Sequence, residues 1–265
     1  MRWLAHEVRL ALIGCQFLTR LPLPDWLTRW VGYQDAWLQA SARHFPLVGA
    51  AVGAVAASVL LAAATVLGMP AATGLCIAAS LLLTGGFHED GWADTCDGLG
   101  GASSRQRALE IMKDSRIGAY GAMGLFVMLG LKWAALASMP PALAAPALLL
   151  AHTGSRTVAV SLIRWLPYAG DLEQAKAKPL SRHLSNPGWA VALGWAACAG
   201  AACLAWLSLP AVAAALLAMA AAGLYCRRWF RRRLGGYTGD CLGASQQLSE
   251  LAAYLAVLGA WRCTA

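Results

Sequence analysis

Within the ten residues from His88 to Asp97 the chain places four carboxylates and a histidine: His88, Glu89, Asp90, Asp94 and Asp97. On a helix, Asp90, Asp94 and Asp97 stand at i, i+4 and i+7 and share one face. Three like charges on one face repel, and a helix gains nothing by collecting them. A hard divalent cation held by oxygen ligands offsets that repulsion. Glu89, Asp90, Asp94 and Asp97 are therefore the candidate metal ligands, with Mg²⁺ the expected ion. His88 is either a general base or a group that orients the acids. Segment 87–116 alone holds six of the thirteen acids of the chain.

Groups that bind phosphate stand near these acids and in two further polar segments. Lys113, Asp114 and Arg116 follow the acidic stretch, Arg116 offering a planar fork and Lys113 a point charge. Gly118 and Gly121 then open an apolar run whose helix N-terminus favours an anion. A second polar segment carries Asp171, Lys176, Lys178, Ser181 and Arg182. A third, 234–244, is a glycine-rich turn with Thr238 and Asp240, of the kind that cradles phosphate but without a Walker lysine. Arg227 to Arg233 either grip a nucleotide or anchor a span end. Lys132, His152 and Arg156 are ionisable residues inside apolar runs, where a charge signals function. Lys132 is expected to snorkel, and Arg156 to reach the acidic site. Acids for a cation together with cationic groups for phosphate describe phosphoryl transfer. A transporter would place its acids in mid-span on broken helices, whereas these lie at the interface.

The scaffold that must position these groups is a membrane. The 265 residues are 59% apolar and 13% charged, with mean hydropathy +0.55, about half the usual charge of a soluble domain. The expected fold is all-α: a polytopic integral membrane helical bundle forming a single domain over 1–265. Net charge +8 then sets orientation and contacts the lipid bilayer, with no nucleic acid as partner. The eight cysteines show no CxxC spacing and read as reduced thiols. In the N-terminal helix, Leu4, Val8, Leu12, Cys15 and Leu18 form one apolar face opposite His6, Arg9, Gln16 and Arg20, an interfacial pattern. The apolar run before Cys15 is too short for a lipoprotein signal. Pro22 and Pro24 end the helix, and 25–45 reads as a polar connector.

Seven candidate spans follow: 46–68, 71–86, 117–138, 142–163, 188–207, 211–226 and 246–261. The connections near 69–70, 139–141 and 208–210 carry proline and no charge. The N-terminal region and the segments 87–116, 164–187 and 227–245 carry the Lys and Arg residues, which places them in the cytoplasm. Gly49 and Gly53, at GxxxG spacing, predict a close helix crossing.

At these residues the sequence resembles the cobalamin synthase family, the adenosylcobinamide-GDP ribazoletransferases. The resemblance is carried by Gly86, His88, Asp90, Gly91, Ala93, Asp94, Asp97 and Gly98, and by Met112 to Gly118. It extends to Phe17 to Pro22, Phe45 to Gly49, and Gly236 with Thr238 to Asp240 and Leu242 to Ala244. It implies a Mg²⁺-dependent enzyme of the bacterial inner membrane. In that reaction the ribose 5′-hydroxyl of α-ribazole, or of its phosphate, attacks adenosylcobinamide-GDP and GMP leaves. It leaves room for a homo-oligomer and for association with other membrane-bound enzymes of cobamide assembly. The neighbouring class is the CDP-alcohol phosphotransferases, whose motif has arginine where Asp94 stands here.

Overall fold

The structure is a computed structural model that describes residues 2–170 and 184–264. It is all-α among the described residues. The elements are α1 (Arg2–Leu18), α2 (Asp25–Val31), α3 (Asp35–Ser41), a 3₁₀ turn (Ala42–His44), α4 (Phe45–Thr84), α5 (Phe87–Gly101), α6 (Arg105–Lys113), α7 (Ala119–Ala137), α8 (Pro141–Trp165), α9 (Asn186–Cys203), α10 (Leu209–Leu234) and α11 (Gly239–Arg262). Three stretches, Asp35–Thr84, Ala119–Ala137 and Leu209–Leu234, are long and apolar enough to cross a membrane. The long helices α8 and α11 dilute their apolar character with polar residues turned inward.

The first two expected spans form one element, α4, broken at Gly68 (φ 73°, ψ 167°) just before Pro70. Only glycine enters that left-handed region without strain. Both ends of α4 meet the end of α1. Phe45 stacks on Phe17 at 6.0 Å between ring centroids, and Leu83 O accepts from Arg20 N at 2.7 Å. The helix therefore doubles back at Gly68 into a hairpin. Its first arm crosses α8 at Gly49 and Gly53, where an added Cβ would lie 2.2 Å from His152 O and 2.9 Å from Leu148 O. The GxxxG expectation is met, and α8 is the central helix, buried from Leu143 to Ile163.

The N-terminal region departs from expectation. Leu10, Ile13 and Leu18 pack inward, whereas Leu4 and Val8 of the expected apolar stripe are exposed. Residues 25–45 hold two short helices and a 3₁₀ turn. Arg9 lies between the rings of Trp30 and Trp37, at 5.0 and 4.8 Å, and Glu7 pairs with His44 at 2.8 Å. Aromatic faces and an acid thus dock α1 on this segment, leaving an apolar face with Trp3 and Trp26 outward. All eight cysteines are unpaired thiols. Burial pushes the Cys96 thiol up to about 11, which keeps it unreactive.

Candidate active site

Gly85 and Gly86, at φ +69° and +67°, turn the chain from α4 into α5. The acidic stretch is helical from Phe87 to Gly101, as its spacing predicts. Two features fix this helix. Against α11 it packs backbone to backbone: a Cβ on Gly91 would lie 2.9 Å from Asp240 O, and one on Gly243 3.1 Å from His88 O. Against α7 it sends Asp97, whose two oxygens accept from Gly118 N and Gly121 N, both at 2.8 Å.

That second contact revises two expectations. The anion at the N-terminus of α7 is the protein's own Asp97, and Gly118 and Gly121 are glycines because a Cβ would strike its carboxylate at 2.5 and 2.3 Å. Asp97, 8% exposed, is brought to α7 and does not line the cleft that holds Asp90 and Asp94. That cleft, about 490 Å³, is lined by Arg20, Gly85, Gly86, Phe87, Glu89, Asp90, Ala93, Asp94, Ser115, Ile117 and Leu125. Its volume is that of a small-molecule site. Among the described residues no group of three or more His, Cys, Asp or Glu is arranged to hold an ion unaided. The donors fit Mg²⁺ in its other mode, in which one or two carboxylates bind together with substrate phosphates.

Arg20 is the cation of the cleft wall, and its role escaped sequence reading because 65 residues of sequence separate it from Gly85. Its side chain runs over Gly85, where a Cβ would meet Nε at 2.5 Å. The guanidinium makes no hydrogen bond or ion pair with any described residue.

The remaining candidates are placed as follows. His88 is 5% exposed and does not line the cleft. Burial, reinforced by the charge of Arg156, holds its imidazole well below the usual histidine range. A buried neutral ring favours the orienting role over the general base. Arg116 is spent on Asp114, at 2.6 Å, while its neighbours Ser115 and Ile117 face the cleft. Lys113 closes α6 and is exposed. Thr238 caps α11, accepting from Cys241 N at 3.3 Å and donating to Asp240 Oδ2 at 3.3 Å. In the glycine-rich turn, Gly236 and Gly243 serve close packing, a Cβ on Gly236 meeting Pro167 O at 2.1 Å. Arg156 is 2% exposed inside the bundle and does not reach the cleft. Lys132 does not snorkel: it is 3% exposed and pairs with Glu250 at 2.8 Å. Lys178, with Asp171, Lys176, Ser181 and Arg182, lies outside the described residues.

The polar segments converge on one end of the bundle. Arg105 donates to Leu234 O at 2.7 Å and to Ala169 O at 3.1 Å. Arg233 donates to Ala102 O at 2.7 Å, and Ala169 N donates to Tyr237 O at 2.8 Å.

No solved structure matches the chain. A relative from Leptothrix cholodnii named adenosylcobinamide-GDP ribazoletransferase is 57% identical over 98% of this chain and 99% of its own. Proteins of the same name from Polaromonas naphthalenivorans and Vibrio cholerae are 45% and 41% identical, over 94% and 96% of this chain and 96% and 95% of theirs. Residues 10–258 match the cobalamin-5-phosphate synthase family, a stretch that takes in the whole acidic cleft, and the chain belongs to that family.

Proposed function

We propose that the chain is an adenosylcobinamide-GDP ribazoletransferase, a membrane enzyme that joins adenosylcobinamide-GDP to α-ribazole, or to its 5′-phosphate, with release of GMP. The observation that carries this reading is a cleft lined together by Asp90, Asp94 and Arg20, whose guanidinium has no hydrogen-bond or ion-pair partner among the described residues. The names of the relatives supply the substrates.

In this reading Asp90 and Asp94 would hold Mg²⁺ together with the diphosphate, and the ion would supply neutralisation of the charge that develops on the leaving phosphate. Arg20 grips a phosphate oxygen pair from the other side as a fork. Its stem is steered by Gly85, so little rotamer freedom remains to be lost on binding. Phe87, Ile117 and Leu125 give the cleft an apolar side that keeps water from the phosphoanhydride. A new P–O bond forms from the ribose 5′-hydroxyl, the bond to GMP breaks, and the exposed Asp90 accepts the hydroxyl proton. Asp97 positions these groups by fixing α5 to α7. The polar end of the bundle faces the cytoplasm and the chain resides in the inner membrane, in keeping with the Lys and Arg residues of the polar segments.

Purified chain supplied with Mg²⁺, α-ribazole and adenosylcobinamide-GDP is expected to release GMP. Turnover of CDP-diacylglycerol with an alcohol acceptor, and none with the cobamide pair, would move the chain to the lipid phosphotransferases.

A further inference from the structure

Three long helices carry ionisable side chains into the bundle core. Lys132 of α7, His152 and Arg156 of α8, and Glu250 of α11 are each 4% exposed or less, and Gln246, Gln247 and Tyr254 of α11 are each 1% exposed. They meet. Lys132 Nζ donates to Glu250 Oε1 at 2.8 Å and to Gln247 Oε1 at 2.6 Å. Tyr254 OH donates to the same Glu250 oxygen at 3.1 Å. The other oxygen receives Gln246 Nε2 and lies 3.2 Å from His152 Nδ1.

Charges buried this deeply must balance, since an uncompensated ion there is strongly destabilising. Counting His152 as neutral, Lys132 and Arg156 give two positive charges and Glu250 one negative. One positive charge is left over, and it belongs to Arg156. That guanidinium donates to His152 O at 3.0 Å, within its own helix, and its Nε is buried without a hydrogen-bond partner. It forms no ion pair with a described residue. The carboxylates whose field reaches it are Glu250 and Glu89.

Glu89 meets the requirement from the other side. Its Oε1 accepts from Gln247 Nε2 at 2.8 Å, which ties it to the cluster. Its Oε2 is buried and has no hydrogen-bond partner. Glu89 also lines both the acidic cleft and a small inner cavity shared with Lys132, His152, Glu250 and Tyr254. It is the group through which the two communicate.

We propose that Glu89 is the fourth charge of this bundle-core cluster, the counter-ion of Arg156 linked through Gln247, and that it positions the first turn of α5 instead of binding metal. Two adjacent acids then have opposite duties. Glu89 faces the protein, and Asp90 faces the substrate.

The test is a charge cycle on the full-length, detergent-solubilised chain, read by thermal melting without any cobamide substrate, so its outcome does not depend on the proposed reaction. Glu89→Gln and Arg156→Met each leave one buried charge uncompensated and should each lower Tm by roughly 5–10 °C. The double variant is neutral again and should recover most of that loss. Losses that simply add would overturn the proposal. If Glu89→Gln cannot be purified, recovery of folded double variant supports the pairing and its failure counts against it. A second readout separates positioning from ligation. Mg²⁺ raises the Tm of a chain that binds it, and that rise should persist in full in Glu89→Gln and be lost in Asp90→Asn. Loss of the rise in Glu89→Gln would make Glu89 a ligand and end the proposal. If the unsubstituted chain shows no rise, the metal of the proposed reaction is in doubt and the charge cycle alone decides.

Discussion

Asp90, Asp94 and Asp97 look equivalent by periodicity and are not equivalent in space. The helix rises about 1.5 Å per residue, so Asp97 stands about 10 Å along the axis from Asp90. That is too far for one ion to bridge both, but near enough to reach the start of α7. The spacing made the shared face legible, but not which partner helix lies opposite each carboxylate. Asparagine should therefore act differently at these positions. Asp90→Asn and Asp94→Asn should lower turnover by on the order of a hundredfold or more while leaving the metal-free Tm unchanged or slightly raised by relief of repulsion. Asp97→Asn should weaken two charge-assisted bonds, each worth roughly 1.5–3 kcal/mol, and lower Tm with or without Mg²⁺. Melting curves beside a GMP-release assay distinguish the two behaviours, and three identical responses would return Asp97 to the metal. Arg20→Ala should raise KM for adenosylcobinamide-GDP at least tenfold and leave KM for α-ribazole within twofold. A parallel rise in both would give Arg20 a packing role. Arg116→Lys, at an exposed pair, should change neither.

The elements themselves were largely readable. Apolar runs bounded by proline and glycine mark most long helices to within a few residues, except that α10 continues through its arginines to Leu234 and α11 starts at Gly239, seven residues before the expected span. What remained hidden was how helices meet. The glycines after Leu234 resemble a phosphate-binding turn in sequence. In the fold, Gly91 and Gly243 instead allow α5 and α11 to touch along their backbones, and contact across more than a hundred residues leaves no local mark. Gly91→Ala is thus expected to cost about 1–3 kcal/mol by overpacking against Asp240 and to reduce activity with it. Gly194→Ala in α9, where nothing lies within 4 Å of the added Cβ, should be neutral or slightly stabilising. Equal Tm losses at the two sites would mean that the crossing is looser than drawn.

For the whole molecule, the asymmetry of charge along the sequence becomes an asymmetry between its two ends. The polar segments that share hydrogen bonds through Arg105, Arg233 and Ala169 are the same ones that carry the Lys and Arg residues. Side-specific labelling checks this. In a background without native cysteines, single cysteines at Arg107 and Arg232 should react from the cytoplasmic side alone, and one at Ala205 from the opposite side alone. Reaction of the first two from different sides is incompatible with a common site. The buried charges fit the same picture. Lys132 and Glu250 lie 118 residues apart in sequence, so each reads alone as an anomaly until the bundle closes.

The hairpin at Gly68 also bears on how the chain enters its membrane. Its tip contains no charged side chain, and neither do the turns at 138–140 and 204–208. In the proposed orientation none of these three turns carries a strongly hydrated group across the bilayer during synthesis. Helices can therefore enter in pairs, each partner shielding the backbone at the turn, without the cost of dragging ions through hydrocarbon. Insertion should then proceed without the motor that exports long polar segments and should withstand collapse of the membrane potential. Lysines engineered into the turn at Gly68 would make biogenesis depend on both.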